Sequence, residues 1–163
     1  MKFALFAFCS LLAMSYAFSQ ENQVTVFVNL SPAGSFQAVS SKIKGSIKEQ
    51  DGKYYSEKLS VLVQTLKTGI DLRDEHLWKH LDPESKHNKI VVTNIKASGK
   101  TGEAVLEING IKKIIPFTFV QENNKFKAKL NLKASQFNLP KVEYMGVGVD
   151  DLVKVEAVIS NTK

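Results

Sequence analysis

The stretch KFKAKLNLKA, Lys125 to Ala134, indicates what kind of fold this chain adopts. Its apolar and polar residues alternate strictly, which is the period of a β-strand with one dry face and one wet face. The residues of the dry face are Phe126, Ala128, Leu130, Leu132 and Ala134. The residues of the wet face are Lys125, Lys127, Lys129, Asn131 and Lys133. A sheet built from such strands must bury its dry face.

The same period recurs from Val24 onward and predicts eight strands. Asp51-Gly52, Asn109-Gly110 and Asn123-Asn124 are turn signals, so most neighbouring strands should be antiparallel. Closure into a barrel would bury the dry faces and remove the sheet edges. The predicted fold is therefore all-β, an eight-stranded antiparallel up-and-down (lipocalin-like) barrel, with a β-sandwich as the alternative. Pro116 lies inside one strand and predicts a bulge or an interruption there.

One segment departs from the strand pattern. TGIDLRDEHLWKHLDPE, Thr68 to Glu84, lies between the third and fourth predicted strands and is rich in charge. It predicts a short helix from Leu72 to Leu81 that ends at Asp82-Pro83. Asp71 is the predicted N-cap, and Asp74 places a second acidic group in the first turn, where the helix dipole favours negative charge.

The helix has one apolar edge that should face the barrel. Leu77 and Leu81 are four residues apart and share a helix face, and Trp78 flanks them. We expect these three side chains to turn inward at the mouth or the side of the barrel.

The N-terminal stretch MKFALFAFCSLLAMSYAFSQ resembles a secretory signal peptide. Lys2 precedes an apolar run that is too short for a membrane span, and small residues follow it. We expect cleavage after Ala17 or Ser19, which leaves a single domain, residues 21–163, in the periplasm or outside the cell. Cys9 is the only cysteine and lies in this stretch, so no disulfide is expected in the mature chain.

The chain is basic, with 22 Lys and Arg against 16 Asp and Glu and a net charge of +6. Its lysines are spread over the wet strand faces and do not form the clustered stripe, with stacking aromatic residues, that nucleic-acid binding requires. We therefore interpret the positive charge as a solvated sheet surface and predict no nucleic-acid partner.

The chain contains three histidines, a residue type that often binds metal ions. His76 and His80 are four residues apart and would share a helix face, and His87 follows in a polar stretch. The HExxH pattern is missing, so no metal site is predicted. We expect His76 to be a hydrogen-bonded residue that fastens the helix to the barrel wall.

Arg73 has two interpretations. With Asp71 and Asp74 it could form an ion-pair lattice that fixes the helix to the barrel rim, which is the favoured interpretation. It could also clamp the phosphate or carboxylate of a ligand. The sequence has no GxSxG motif and no glycine-rich phosphate loop, so no catalytic residue and no cofactor are predicted.

Two motifs resemble the YceI-like family. The segment from Thr68 to Glu84 is similar to that family's aspartate–arginine–aspartate–histidine–leucine stretch, and its matching residues are Arg73, Asp74, His76 and Leu77. TGEAVLEINGIKKIIPFTF resembles the family's glycine-containing hairpin, which Asn109-Gly110 matches. The chain departs from the family after the helix, where a phenylalanine pair is missing, and in KASQFNLPKVEYMG, where an arginine is missing.

The resemblance implies a lipocalin-like barrel that holds a long apolar isoprenoid or another amphiphile. The predicted function is a non-enzymatic carrier or store of a polyisoprenoid, an isoprenoid quinone or a related lipid, with transient contact to a membrane surface; a homodimer is left open. The alternatives are an enzyme that acts on a small apolar or lipid substrate in the same lumen and a stress-related structural barrel with no ligand. The predicted ligand-binding residues are Phe117, Phe119, Phe126, Leu130, Leu132, Val153, Val155, Leu77, Trp78 and Leu81.

Overall fold

The fold is known from a computed structural model that describes residues 22–144 and 146–162. The predicted signal peptide and its cleavage site lie outside the described residues. The strands are β1 (Gln23–Ser31), β2 (Ser35–Ser40), β3 (Ile43–Lys44), β4 (Ile47–Gln50), β5 (Lys53–Leu62), β6 (Lys89–Ser98), β7 (Thr101–Ile108), β8 (Ile111–Glu122), β9 (Lys125–Lys133), β10 (Glu143–Tyr144), β11 (Val147–Val149) and β12 (Leu152–Thr162). One helix, α1 (Asp71–Leu81), lies between β5 and β6, and 3-10 turns occupy Val63–Thr65 and Ala134–Phe137.

The strands form one sheet that closes on itself. β12 pairs along its length with β9 and at its end with β4, which completes a ring of seven strands, β12-β4-β5-β6-β7-β8-β9. β1 pairs with residues 154–158 of β12, on the edge opposite β9, and β2 pairs with β1, so these two strands extend the wall beside the ring. The all-β barrel with one helix is therefore confirmed, and the β-sandwich alternative is wrong.

The predicted count of eight strands is wrong, since the described residues form twelve. The second predicted strand is divided into β2, which pairs with β1, and β3 and β4, which pair with β5. The break between β3 and β4 lies at Gly45, which has a φ of 106° and lies against the β5 backbone. A Cβ at Gly45 would collide with the carbonyl oxygen of Lys58, so only glycine fits there. The short strands β10 and β11 were not predicted. One contact in the ring, between β4 and β12, is parallel.

Pro116 does not interrupt its strand. β8 runs continuously from Ile111 to Glu122, and its pairing with β9 begins only at Thr118. Pro116 therefore replaces no hydrogen-bond donor on the β9 side, and the expected bulge at this position is wrong. A register shift occurs instead between Thr93 and Lys96 of β6.

The two ends of the barrel differ. The turns after β4, β6 and β8 lie at one end, where Tyr54, Phe117, Phe119 and Phe126 form an aromatic cluster. The rings of Phe119 and Phe126 are stacked with their centroids 4.5 Å apart. Helix α1 joins β5 to β6 at the opposite end. The fold therefore closes one end with packed rings and places the helix at the other.

Candidate functional site

The barrel encloses a cavity of about 540 Å³. All seven strands of the ring contribute to its wall, and the side chains they contribute are almost all aliphatic or aromatic. Its volume lies within the range of roughly 300–1,000 Å³ that is typical of small-molecule sites. The barrel is thus not filled by its own side chains, which argues against a structural barrel with no ligand.

Most of the predicted ligand-binding residues border this cavity. They are Phe117, Phe126, Leu130, Leu132, Val153 and Val155 from the strands and Leu77 and Leu81 from α1. They reach the cavity because residues two apart on a strand, or four apart on a helix, share one face. That these side chains contact a ligand stays a prediction.

Two of the predicted residues lie elsewhere. Phe119 is 4% exposed and packs within the aromatic cluster, so it belongs to the core and not to the cavity wall. Trp78 donates a hydrogen bond from Nε1 to the carbonyl oxygen of Leu66 at 2.9 Å, and the Nζ of Lys67 lies 4.3 Å from the centroid of its indole ring. Trp78 therefore fastens α1 to the segment after β5.

Asp74 is the second attachment of the helix. Its carboxylate is buried, accepts hydrogen bonds from the Thr68 backbone N–H at 2.6 Å and from the Thr68 hydroxyl at 2.7 Å, and lies 3.4 Å from the Nζ of Lys67. Burial acts to raise the pKa of Asp74, but the hydrogen bonds from Thr68 and the charge of Lys67 together hold that pKa below its ordinary value. The predicted N-cap, Asp71, is wrong: Ile70 is the N-cap, and Asp71 is an exposed first helical residue.

The change Asp74→Ala should therefore lower the melting temperature by several degrees, because it leaves two donors of Thr68 without their acceptor. Asp71→Ala removes the same charge from the same helix turn at an exposed position and should change the melting temperature little. Thermal unfolding followed by circular dichroism would measure both. Equal melting temperatures for the two variants would contradict the assignment of Asp74 as the attachment point.

The polar groups of the cavity are concentrated on α1. Only four of its described lining residues have polar side chains, namely Ser60, Arg73, His76 and His80. The spacing of the last three, three and then four residues, places them on one helix face. The sequence predicted that His76 and His80 share a helix face, but not that both line the cavity together with Arg73. It also gave no assignment to Phe36, Leu139 and Val142, which line the cavity as well.

Arg73 does not form the predicted ion-pair lattice. The partner of Asp74 is Lys67, and no carboxylate of the described residues lies within 4 Å of Arg73. Its Nε donates a hydrogen bond to the hydroxyl of Thr68 at 3.2 Å, and its guanidinium carbon lies 4.8 Å from the ring centroid of Phe36. A guanidinium group has five N–H donors, so most of those of Arg73 stay available beside the cavity.

The two histidines of α1 also differ from expectation. His76 is exposed and makes no hydrogen bond with any described residue, so its predicted role as a hydrogen-bonded fastener is wrong. His80 is half-buried, burial lowers its pKa, and its Nδ1 is shielded from solvent without a partner among the described residues. Among residues 22–144 and 146–162, no group of three or more His, Cys, Asp or Glu side chains is placed to hold a metal ion.

Comparison with known families matches residues 16–160 to the YceI-like domain. The chain belongs to the YceI-like family. BcnA of Burkholderia cenocepacia has a similar fold, with a TM-score of 0.66, 18% identity and coverage of 86% of this chain and 96% of that one. A polyisoprenoid binding domain of Saccharophagus degradans has a TM-score of 0.61, 15% identity and coverage of 85% and 91%. These likenesses confirm the fold.

No curated protein matches the chain. Within residues 22–144 and 146–162, the structure contains no helix with the length and apolar character needed to cross a membrane.

Proposed function

We propose that this chain binds a long apolar amphiphile, such as a polyisoprenoid, an isoprenoid quinone or a related lipid, and carries or stores it without chemical change. The cavity is the observation that supports this function. It is enclosed by apolar strand faces, and its polar side chains lie mainly on one helix. Burial of a hydrocarbon chain contributes about 0.8 kcal/mol per CH₂ group, so such a cavity can bind a lipid with few polar contacts.

The family and its neighbours support the same class of ligand. YceI-like proteins include binding domains, and the Saccharophagus degradans domain with the same fold is described as polyisoprenoid binding.

We also propose that the protein acts in the periplasm. The resemblance of residues 1–20 to a signal peptide supports secretion to the periplasm. The lysines of the outer strand faces, such as the exposed Lys58 on β5 and Lys96 on β6, would give weak electrostatic attraction to an anionic membrane surface during ligand exchange.

Solvent extraction of the protein, purified from its own secretory compartment, tests the proposed function. Mass spectrometry of the extract should identify one long-chain isoprenoid or lipid in about a one-to-one ratio to protein. An extract from an unrelated protein purified in the same way is the control. If no lipid is recovered, even after incubation with membrane lipids, the carrier function is wrong. Conversion of an added lipid to a product would support the enzyme alternative.

A further inference from the structure

We propose that the amphiphile carries an anionic head group, a carboxylate or a phosphate, and that Arg73 binds this group with His76 and His80 beside it. This inference rests on the proposed function, which defines the apolar part of the ligand only. It adds the chemical class of the polar end and the residues that recognise it.

Arg73 has no negatively charged partner among the described residues. The guanidinium is half-buried, borders an apolar cavity and lies against the ring of Phe36. An ion that is partly removed from water without a counter-charge is costly, and no described carboxylate pairs with Arg73. A bound anion would supply the missing counter-charge. Arginine also suits this role because its planar fork of donors matches a carboxylate or a phosphate.

The described charged and titratable side chains around the cavity are all basic. None of the described residues that line it is acidic. Asp74, the nearest carboxylate in sequence, is already engaged by Thr68 and Lys67. Asp71 and Glu75 are exposed and do not line the cavity. The electrostatic potential at this end should therefore favour an anion over a cation or a neutral head group.

The geometry of α1 places His76 and His80 on the same helix face as Arg73. A rise of about 1.5 Å per residue separates Arg73 from His76 by roughly one turn, and His80 lies about one further turn along the same face. A head group bound by Arg73 therefore lies within reach of the His76 imidazole. His80 has an unpartnered Nδ1 and offers a hydrogen bond to the next polar atom of the ligand.

A neighbouring cleft shows on which side the anion should lie. This cleft shares His80 with the cavity but contains three carboxylates, those of Glu143, Asp150 and Asp151, against one lysine, Lys141, which pairs with Glu143. These acidic residues would repel an anion on the far side of His80. The head group is thus expected on the Arg73 side of the helix.

Paired ligands that differ only in the head group test this inference. Binding of farnesyl phosphate and farnesol, and of oleate and oleyl alcohol, would be measured by titration calorimetry. We expect at least one acid to bind roughly tenfold to a hundredfold more tightly than its alcohol, since a hydrogen bond to a charged group contributes about 1.5–3 kcal/mol. Arg73→Gln should remove this preference by weakening the acid and leaving the alcohol unchanged.

A matched variant controls for the loss of positive charge. Lys79→Gln removes one charge from the same helix, but Lys79 is exposed and does not line the cavity, so this variant should keep the preference. Arg73→Lys retains the charge without the planar fork and should give an intermediate preference. It also provides a second test if Arg73→Gln does not fold.

Each outcome of the experiment is decisive. Equal binding of acid and alcohol by the unmodified protein would overturn the inference and leave the proposed function intact. A preference that persists in Arg73→Gln would also overturn it. Failure of all four ligands to bind would count against both proposals. A preference for the phosphate alone, or for the carboxylate alone, would support the inference and identify the head group.

Discussion

Phe119→Ala should lower the free energy of unfolding by about 3 to 5 kcal/mol, the typical cost of truncating a fully buried aromatic residue. The Phe119 ring stacks on Phe126 and meets Tyr54 at a centroid distance of 5.2 Å and an interplanar angle of 66°. Loss of these aromatic pairs adds to the loss of buried area. The change also opens a void at the packed end of the barrel. Urea unfolding monitored by circular dichroism would measure the effect.

Leu130→Ala provides the comparison for this prediction. Leu130 lies on β9, the strand that pairs with the β8 strand of Phe119, but it is half-buried and borders the cavity. Part of its side chain has no packing partner to lose, so the cost should fall below that of Phe119→Ala. If the two variants were destabilised equally, the division of the barrel interior into a packed aromatic end and a cavity would be wrong.

The strands could be predicted from sequence because each dry face is continuous in the chain. The alternation from Lys125 to Ala134 reflects β9, and the inward placement of Leu130 and Leu132 follows from that alternation alone. The alternation of apolar and polar residues does not predict that β12 pairs with both β4 and β9, and this pairing closes the ring. That contact joins residues far apart in the chain and depends on the shape of the whole sheet.

One part of the error in the strand count, the break between β3 and β4, has a local reason. The stretch from Ser35 to Gln50 has the pattern of one strand, but its pairing with β5 is interrupted at Gly45, which lies against the β5 backbone between β3 and β4. A single glycine in a strand pattern indicates a bend or a close approach without telling which neighbour is approached. That neighbour, Lys58, lies on the following strand and is visible only in three dimensions.

The helix was placed correctly, but the roles of its charged residues were not. Arg73 was expected to form an ion-pair lattice with Asp71 and Asp74 that fixes the helix to the barrel rim. Adjacent residues on a helix point about 100° apart. Both side chains reach Thr68, but Asp74 pairs with Lys67, whereas Arg73 borders the cavity. The same angle separates Trp78 from Leu77. Helix period alone could have predicted both separations, but not which face meets the cavity.

Ala157→Phe should weaken ligand binding roughly a hundredfold while the barrel still folds. Ala157 lies opposite Ala128 in the pairing of β12 with β9, and both small side chains border the cavity. A phenyl ring at this position would occupy the space of about four methylene groups of the ligand, each worth about 0.8 kcal/mol. Because the ring enters empty space and not a packed core, its effect on stability should be small.

Val120→Phe is the matched control, since it adds the same side chain at an exposed position of β8 that does not line the cavity. It should leave binding unchanged. Titration with farnesyl phosphate and farnesol would separate two contributions, because Ala157→Phe should weaken both ligands equally and Arg73→Gln should weaken only the phosphate. Unchanged binding of both ligands by a folded Ala157→Phe protein would show that the amphiphile lies outside the barrel. If the two variants act in this separate way, the shape of the cavity explains the affinity for the hydrocarbon part of the ligand. The charge of Arg73 then explains the choice of head group.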